Sequence, residues 1–241
     1  MTGQTPPDTV IYAIGDIHGR DDLLAAIHDQ IASDVAGRSA SQRQVVYLGD
    51  YVSRGAASRR VVDRVLAWLP DDFTRVTLKG NHEDLLLRFL AGDLEAGSHW
   101  FDYGGLDTLA GYGVAIAHRE ARDSKNVAAL RDQFEARLPP AHLAFFQSLR
   151  ISHRAGDYCF VHAGVRPGVP LARQEDHDQM WIRRAFLDSD ADHGAIIVHG
   201  HCISSRPEIR PNRIGIDTGA SQSGVLTCLV LDGATAGFLH T

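Results

Sequence analysis

Val10-Ile11-Tyr12-Ala13-Ile14-Gly15-Asp16-Ile17-His18-Gly19 sets an apolar, β-prone run against a glycine corner carrying an acid and an imidazole. The same arrangement returns twice in the next seventy residues. The run 44–48 leads into Gly49-Asp50-Tyr51-Val52-Ser53-Arg54-Gly55, and the run 74–78 leads into Gly80-Asn81-His82-Glu83. Helical spacing fills the gaps. Leu23, Leu24, Ile27 and Ile31 mark a helix from Asp21 to about Val35, and Val61, Val62, Val65 and Leu66 mark one over 58–69 that Pro70 closes. A third helix is expected from about Glu83 to Ala91. This β-α-β-α-β-α order predicts parallel strands joined by right-handed crossovers.

Further along, the strand-like run Tyr158 to Val161 meets His162-Ala163-Gly164, and the run 195–198 meets His199-Gly200-His201. Further strands are expected over 213–217 and 225–231, so the second half reads as β-rich with hairpin-like spacing. Residues 92 to about 142 break the rhythm. They are glycine-rich at first, then polar and helical, and read as a small helical cap inserted into one domain spanning 1–241. A helix over 139–149 follows, with Pro140 at its start.

Size and charge bound the function. The chain has 241 residues, 44% of them hydrophobic, enough for a substantial core. Its net charge of −6 argues against a nucleic-acid partner, and no apolar run approaches a membrane span. Three cysteines, Cys159, Cys202 and Cys228, are no disulfide framework and fit a reducing cytoplasm. Cys159 and Cys228 lie in apolar runs and are expected to be buried. Cys202 adjoins His201 and is expected near the pocket, without a nucleophile's role.

In α/β sheets, ligands collect at the carboxyl ends of strands. Five corners of this type therefore predict one pocket. Asp16 and His18, two apart on a turn, can face one ion, although the pair alone says little. A carboxylate such as Asp50 can bridge two cations about 3.5–4 Å apart. Arg54 offers a planar fork for phosphate oxygens. Asn81 is a neutral metal ligand, His82 a proton donor, and His162 and His201 imidazole ligands suited to manganese, iron or zinc. His199 adjoins the ligand candidate, but strand alternation turns it elsewhere. The remaining eight histidines (His28, His99, His118, His142, His153, His177, His193 and His240) are assigned no role. Two cations so held lower the pKa of a shared water and supply hydroxide for in-line attack on a phosphate.

Taken in order, these five motifs resemble those of the phosphoprotein phosphatase family of metallophosphoesterases, most nearly its small bacterial serine/threonine phosphatases. The resemblance runs from about Tyr12 to Leu231 and includes Trp181-Ile182-Arg183 and Ile216-Asp217-Thr218-Gly219. It implies a central β-sandwich of mixed sheets flanked by helices, which replaces a single doubly wound sheet as the expected fold. It also implies two divalent metals, manganese first. Asp16, His18 and Asp50 would hold one ion, and Asp50, Asn81, His162 and His201 the other. His82 would be the general acid. Arg54 and Arg183 would bind the substrate phosphate, with Asn81 assisting.

Two departures stand out. Cys202 occupies a position where such phosphatases usually carry threonine. Ser53 stands where they carry the aspartate that pairs with the acid histidine, so a weaker or retuned acid is expected. The leading expectation is a phosphomonoesterase acting on phosphoserine, phosphothreonine or phosphotyrosine in proteins. The alternative is a symmetrical diadenosine tetraphosphate hydrolase, a type that also has a non-acidic residue at the position of Ser53, although Glu83 argues against it. A third reading, from Ser53 alone, is a binder of phosphorylated partners without turnover.

Overall fold

The computed structural model describes residues 3–115 and 124–241, so part of the inserted segment, His118 included, lies outside the described residues. The strands are β1 (Thr9–Ile14), β2 (Gln42–Tyr47), β3 (Phe73–Thr77), β4 (Ser152–Ala155), β5 (Tyr158–Val161), β6 (Ile196–His199), β7 (Glu208–Arg210), β8 (Arg213–Gly215), β9 (Thr227–Asp232) and β10 (Thr235–His240). The helices are α1 (Asp21–Val35), α2 (Ser58–Ala67), α3 (Asn81–Leu90), α4 (Leu94–Asp102), α5 (Gly105–Gly111), α6 (Ser124–Glu135), α7 (Pro140–Ser148), α8 (Asp176–Trp181), α9 (Arg184–Leu187) and α10 (Ala220–Ser223).

These strands form two five-stranded sheets, ordered β10-β9-β1-β2-β3 and β4-β5-β6-β8-β7. In the first, β1, β2 and β3 run parallel, as the β-α-β-α-β pattern requires, while β9 joins β1 antiparallel. In the second, β5, β6 and β8 run parallel, with β4 and β7 antiparallel at the edges. The sheets face one another. Ile11 and Ala13 of β1, Val46, Leu48, Val76 and Leu229 of β9 share an apolar layer with Phe160, Val198 and Ile214 of the second sheet. The alternate residues Val10, Tyr12 and Ile14 turn outward beneath the helices, among Leu24, Ile27 and Val61. All six residues of β1 are buried, which explains its unbroken apolar run.

Several boundaries differ from the sequence expectation. Helix α3 starts at Asn81 and not near Glu83, because the Glu83 carboxylate accepts the Gly80 amide N–H (3.0 Å) and caps the helix from within. Helix α2 stops at Ala67, since Trp68 is already extended (ψ 103°) ahead of Pro70. The strands β4, β7 and β10 were not anticipated. Each is the outer member of an antiparallel hairpin and has few buried residues, so no apolar run marks it.

The inserted helices share the main core. Trp100, Leu109, Val127 and Phe134 are fully buried in the same cluster as Val61, Leu86 and Phe89. A relay pins this region to α2: Tyr112 O–H donates to His142 Nδ1 (2.8 Å), and His142 Nε2–H donates to Asp63 (2.9 Å). Cys159 and Cys228 are buried as expected, and Cys202 is partly so. Among the described residues, no helix is long and apolar enough to cross a membrane.

Candidate active site

Six corners converge, three from each sheet. Asp16 and His18 follow β1, Asp50 follows β2, and Asn81 and His82 follow β3; His162 follows β5, His201 follows β6, and Asp217 follows β8. Backbone contacts lock the corners together. His18 N–H donates to Asp50 O (2.9 Å), and Gly200 N–H to His162 O (2.7 Å). Two contacts cross between sheets: His162 Nδ1 meets Leu48 O (2.9 Å), and His201 N–H donates to the Asp16 carboxylate (3.1 Å). The approach is too close for side chains on the turns. A Cβ added at Gly80 would strike an Asp50 carboxylate oxygen, and one at Gly200 would strike Asp16.

The turns carry backbone strain. His18 (φ 47°), Asp50 (φ 50°), Ser53 (φ 74°), Arg54 (φ 66°) and His201 (φ 63°) are all left-handed, five of the seven such non-glycine residues among those described. Each such residue costs on the order of 1–3 kcal/mol, and the conformation persists only where its surroundings impose it. The Glu83 carboxylate supplies much of that imposition. Beyond capping α3, it accepts the amide N–H groups of Asp50 (2.8 Å), Tyr51 (2.9 Å) and Val52 (3.3 Å). One buried side chain thus sets the Asp50 loop against the Asn81 helix.

The imidazole tautomers follow from their partners. A carbonyl can only accept, so His18 Nδ1–H donates to Val52 O (2.9 Å) and His162 Nδ1–H donates to Leu48 O. Their Nε2 lone pairs then point inward. His18 Nε2 lies 3.4 Å from Asp50, and His162 Nε2 lies 3.5 Å from Asp50 and 2.9 Å from Asn81 Oδ1. These are acceptors facing acceptors. His18, Asp50 and His82 form one group, and Asp50, His162 and His201 another, with ligand atoms within 4.8 Å of one another in each. Asp50 belongs to both. Donor atoms around one ion with bonds near 2.1 Å sit roughly 3–3.5 Å apart, so the spacing suits a shared cation. His201 Nε2 is buried without a hydrogen-bond partner, as a lone pair reserved for a ligand would be.

Electrostatics point the same way. Burial raises Asp50, and burial with the neighbouring Asp217 and Asp50 raises Asp16 well above the usual carboxylate range. Burial lowers His18 to about 3, His162 to about 4 and His201 to about 2, which keeps the rings neutral and free to ligate. Buried acids with no positive neighbour in contact and neutral imidazoles are stable together when cations are supplied. The residues fit a two-metal centre.

Arg54 and Arg183 flank this floor, and both favour the charged form of Asp50. Arg183 is exposed and its guanidinium reaches Cys202 Sγ (3.9 Å). His82 Nε2 is 3.8 Å from Asp50, and its Nδ1 is buried without a partner. The Ser53 hydroxyl instead accepts the indole N–H of Trp100 (2.8 Å), while Ser53 N–H donates to Thr108 Oγ1 (2.8 Å). His199 Nδ1 donates to Gly200 O (3.0 Å), and its ring packs edge-on to Phe186, away from Asp50. Three participants escaped the sequence reading of the site. Asp217 carried the same signal as Asp16, an acid just after a strand. Glu83 was visible only as a motif letter, and Trp100 had no local signal.

The calcineurin-like phosphoesterase family model matches residues 9–221. A bis(5'-nucleosyl)-tetraphosphatase PrpE (asymmetrical) of Anoxybacillus flavithermus is 27% identical over 234 residues, covering 90% of this chain and 88% of its own. The protein of the same name from Halalkalibacterium halodurans is 26% identical over 225 residues, covering 90% and 87%. Among solved structures, one provisionally assigned as a diadenosine tetraphosphatase superposes with a TM-score of 0.63 at 18% identity, covering 100% of this chain and 94% of that one. A cold-active protein-tyrosine phosphatase of Shewanella gives 0.54 at 16% identity, covering 98% and 83%. The family match runs from the start of β1 through the Asp217 corner, so it takes in all six strand ends that build the pocket: this chain belongs to the calcineurin-like phosphoesterases, hydrolases of phosphate esters.

Proposed function

We propose that this enzyme is a two-metal hydrolase of phosphate compounds with a stable leaving anion, dinucleoside polyphosphates first and aryl phosphates such as phosphotyrosine second. The carrying observation is the pair of lone-pair clusters that share Asp50, with Arg54 and Arg183 beside them. In this reading Asp16, His18 and Asp50 would hold one cation, with His82 of the first group kept free as proton donor, and Asp50, Asn81, His162 and His201 would hold the other. Manganese is the first candidate, with iron and zinc as alternatives. Once bound, the cations activate water and polarise the phosphoryl oxygens. Arg54 and Arg183 grip those oxygens, with Asn81 at their side. The water, having released one proton to solvent, would bond its oxygen to phosphorus as the bond to the leaving oxygen breaks, and His82 would pass a proton to that oxygen.

The order of substrates follows from Ser53. A carboxylate beside His82 would favour imidazolium; a hydroxyl already engaged by Trp100 does not. Proton donation is therefore weak. A serine alkoxide leaves poorly without it, a phenolate leaves better, and a nucleotide phosphate needs it least. Phosphoserine and phosphothreonine in proteins thus come last among the readings. The names of the relatives agree with this order, and their asymmetrical type favours unequal products over the symmetrical cleavage raised from sequence.

The test is a manganese-reconstituted enzyme assayed on diadenosine tetraphosphate, a phosphotyrosine peptide and a phosphoserine peptide. The expected kcat/KM falls in that order by at least about tenfold per step, about 1.4 kcal/mol each. The products of the first substrate are expected to be ATP and AMP. Ser53→Asp is expected to raise the phosphoserine rate relative to the other two. Equal rates on the phosphoserine peptide and diadenosine tetraphosphate would overturn the reading. Turnover of p-nitrophenyl phosphate would dispose of the binder without turnover.

A further inference from the structure

Four aromatic rings line the seam between the inserted helices and α8. Tyr103, the residue that ends α4, is 48% exposed. Its ring meets His99 edge-on, with centroids 4.9 Å apart. His99 in turn lies 6.3 Å from Trp181 at 33°, and Trp181 stacks on His177 at 6.0 Å and 14°. His99 and His177 are exposed, and Trp181 is half-buried. An open row of touching rings loses the apolar burial that usually holds aromatic side chains. Trp181 also packs against the main core, whereas His99, His177 and Tyr103 are exposed.

Two members of the row, Tyr103 and Trp181, adjoin the arginines that would grip phosphate. Gly104, next to Tyr103, accepts the amide N–H of Arg54 (3.2 Å) through its carbonyl. The contact is tight: Gly104 is left-handed (φ 91°), and a Cβ there would lie 2.6 Å from Arg54 N. Within the row, Trp181 is two residues before Arg183, joined by the extended Ile182 (φ −60°, ψ 143°). The two residues that would hold the phosphates thus each adjoin a ring of the row.

We infer that this seam, Tyr103, His99, Trp181 and His177, is the binding subsite for the nucleobase of a nucleoside polyphosphate. The inference rests on the substrate reading above and adds to it the place where the base binds. A phosphotyrosyl ring joins its phosphorus through one oxygen and would sit at the floor. A base stands off by a ribose and further phosphates, which suits a row lying beyond the arginines. Planar π-faces accept any base, and the exposed imidazole edges add hydrogen-bond capacity. The row has little charge of its own, so the phosphates are bound by the arginines and the base by stacking.

The test compares ADP with inorganic pyrophosphate, which has the phosphates without the base, by calorimetric titration of the manganese-loaded enzyme. ADP is expected to bind about tenfold more tightly than pyrophosphate. Tyr103→Ala should remove most of that gap and Tyr103→Phe should keep it, with circular dichroism confirming that both are folded. Equal binding of ADP and pyrophosphate by the unmodified enzyme would overturn the inference. So would a full gap persisting in the double variant Tyr103→Ala, Trp181→Ala. Turnover of diadenosine tetraphosphate is measured separately: a gap without turnover keeps the subsite and rejects the substrate reading, whereas turnover without a gap does the reverse.

Discussion

The floor of the pocket and its rim are built on different principles. The floor consists of strand ends from two sheets, with buried acids and imidazoles whose backbones are bonded to one another and to Glu83. The rim consists of rings at the surface of α4 and α8, with Arg183 just after α8 and Arg54 on the loop between β2 and α2 beside them. The floor is over-determined and dictates a reaction type. The rim presents exposed His99, Tyr103 and His177 and is where a choice of substrate can change without loss of chemistry. The two meet at the Ser53–Arg54 turn, where Trp100 donates to the Ser53 hydroxyl, Ser53 N–H donates to Thr108 and Arg54 N–H donates to the Gly104 carbonyl.

Substitutions can break this contrast at graded strengths. Asp50→Asn should have the largest effect, because Asp50 is the member common to both groups. On the two-metal reading, the metal bound by manganese-loaded enzyme should drop below two ions per chain, measured by atomic emission, and kcat on every substrate should fall by about 10³ or more, roughly 4 kcal/mol. Retention of two ions and of activity would show that the floor does not depend on Asp50. Glu83→Gln should come next. An amide cannot accept on both sides, so some of the four N–H donors would lose their partner, at a cost of about 2–4 kcal/mol. A melting temperature lower by about 5–10 °C is expected, together with weaker metal binding. An unchanged melting temperature would mean that the loops around Asp50 hold their shape unaided. Trp100→Phe should have the smallest effect, about 1 kcal/mol in stability for one lost hydrogen bond. The ratio of rates on aryl and nucleotide substrates should hold within about threefold, since Ser53 is uncharged with or without its indole partner. A larger change in that ratio would join rim and floor more closely than the geometry does.

The same contrast explains what the sequence revealed. Strand β1 and the Gly15–Gly19 turn were legible because a fully buried strand is apolar throughout and glycines mark where chains approach closely. Asp16, His18, Asp50, Asn81, His82, His162 and His201 were found by that rule, and the structure brings them together. Asp217 obeys the rule as well, but the expected strand over 213–217 runs through it, whereas β8 ends at Gly215 and leaves it on the corner. The closure of two sheets was not readable from the parallel-strand pattern, since β9 pairs with β1 across more than two hundred residues. It entered through the family resemblance. The outer hairpin strands went unseen because their side chains face water. Trp100 and Tyr103 were invisible for a related reason: their role lies in what they touch across the fold, and local spacing carries no record of it.

The pairing of β1 with β9 has a consequence for biosynthesis. The first strand made is flanked on one side by β2, which follows soon after, and on the other by β9, which is made near the end. His201 and Asp217 also arrive late. A nascent chain can therefore assemble the Arg54 side of the pocket early, but it cannot complete a cation pair until most of the polypeptide has left the ribosome. Premature termination products of this gene would be catalytically silent fragments with an exposed sheet edge, candidates for proteolysis and incapable of stray phosphate hydrolysis.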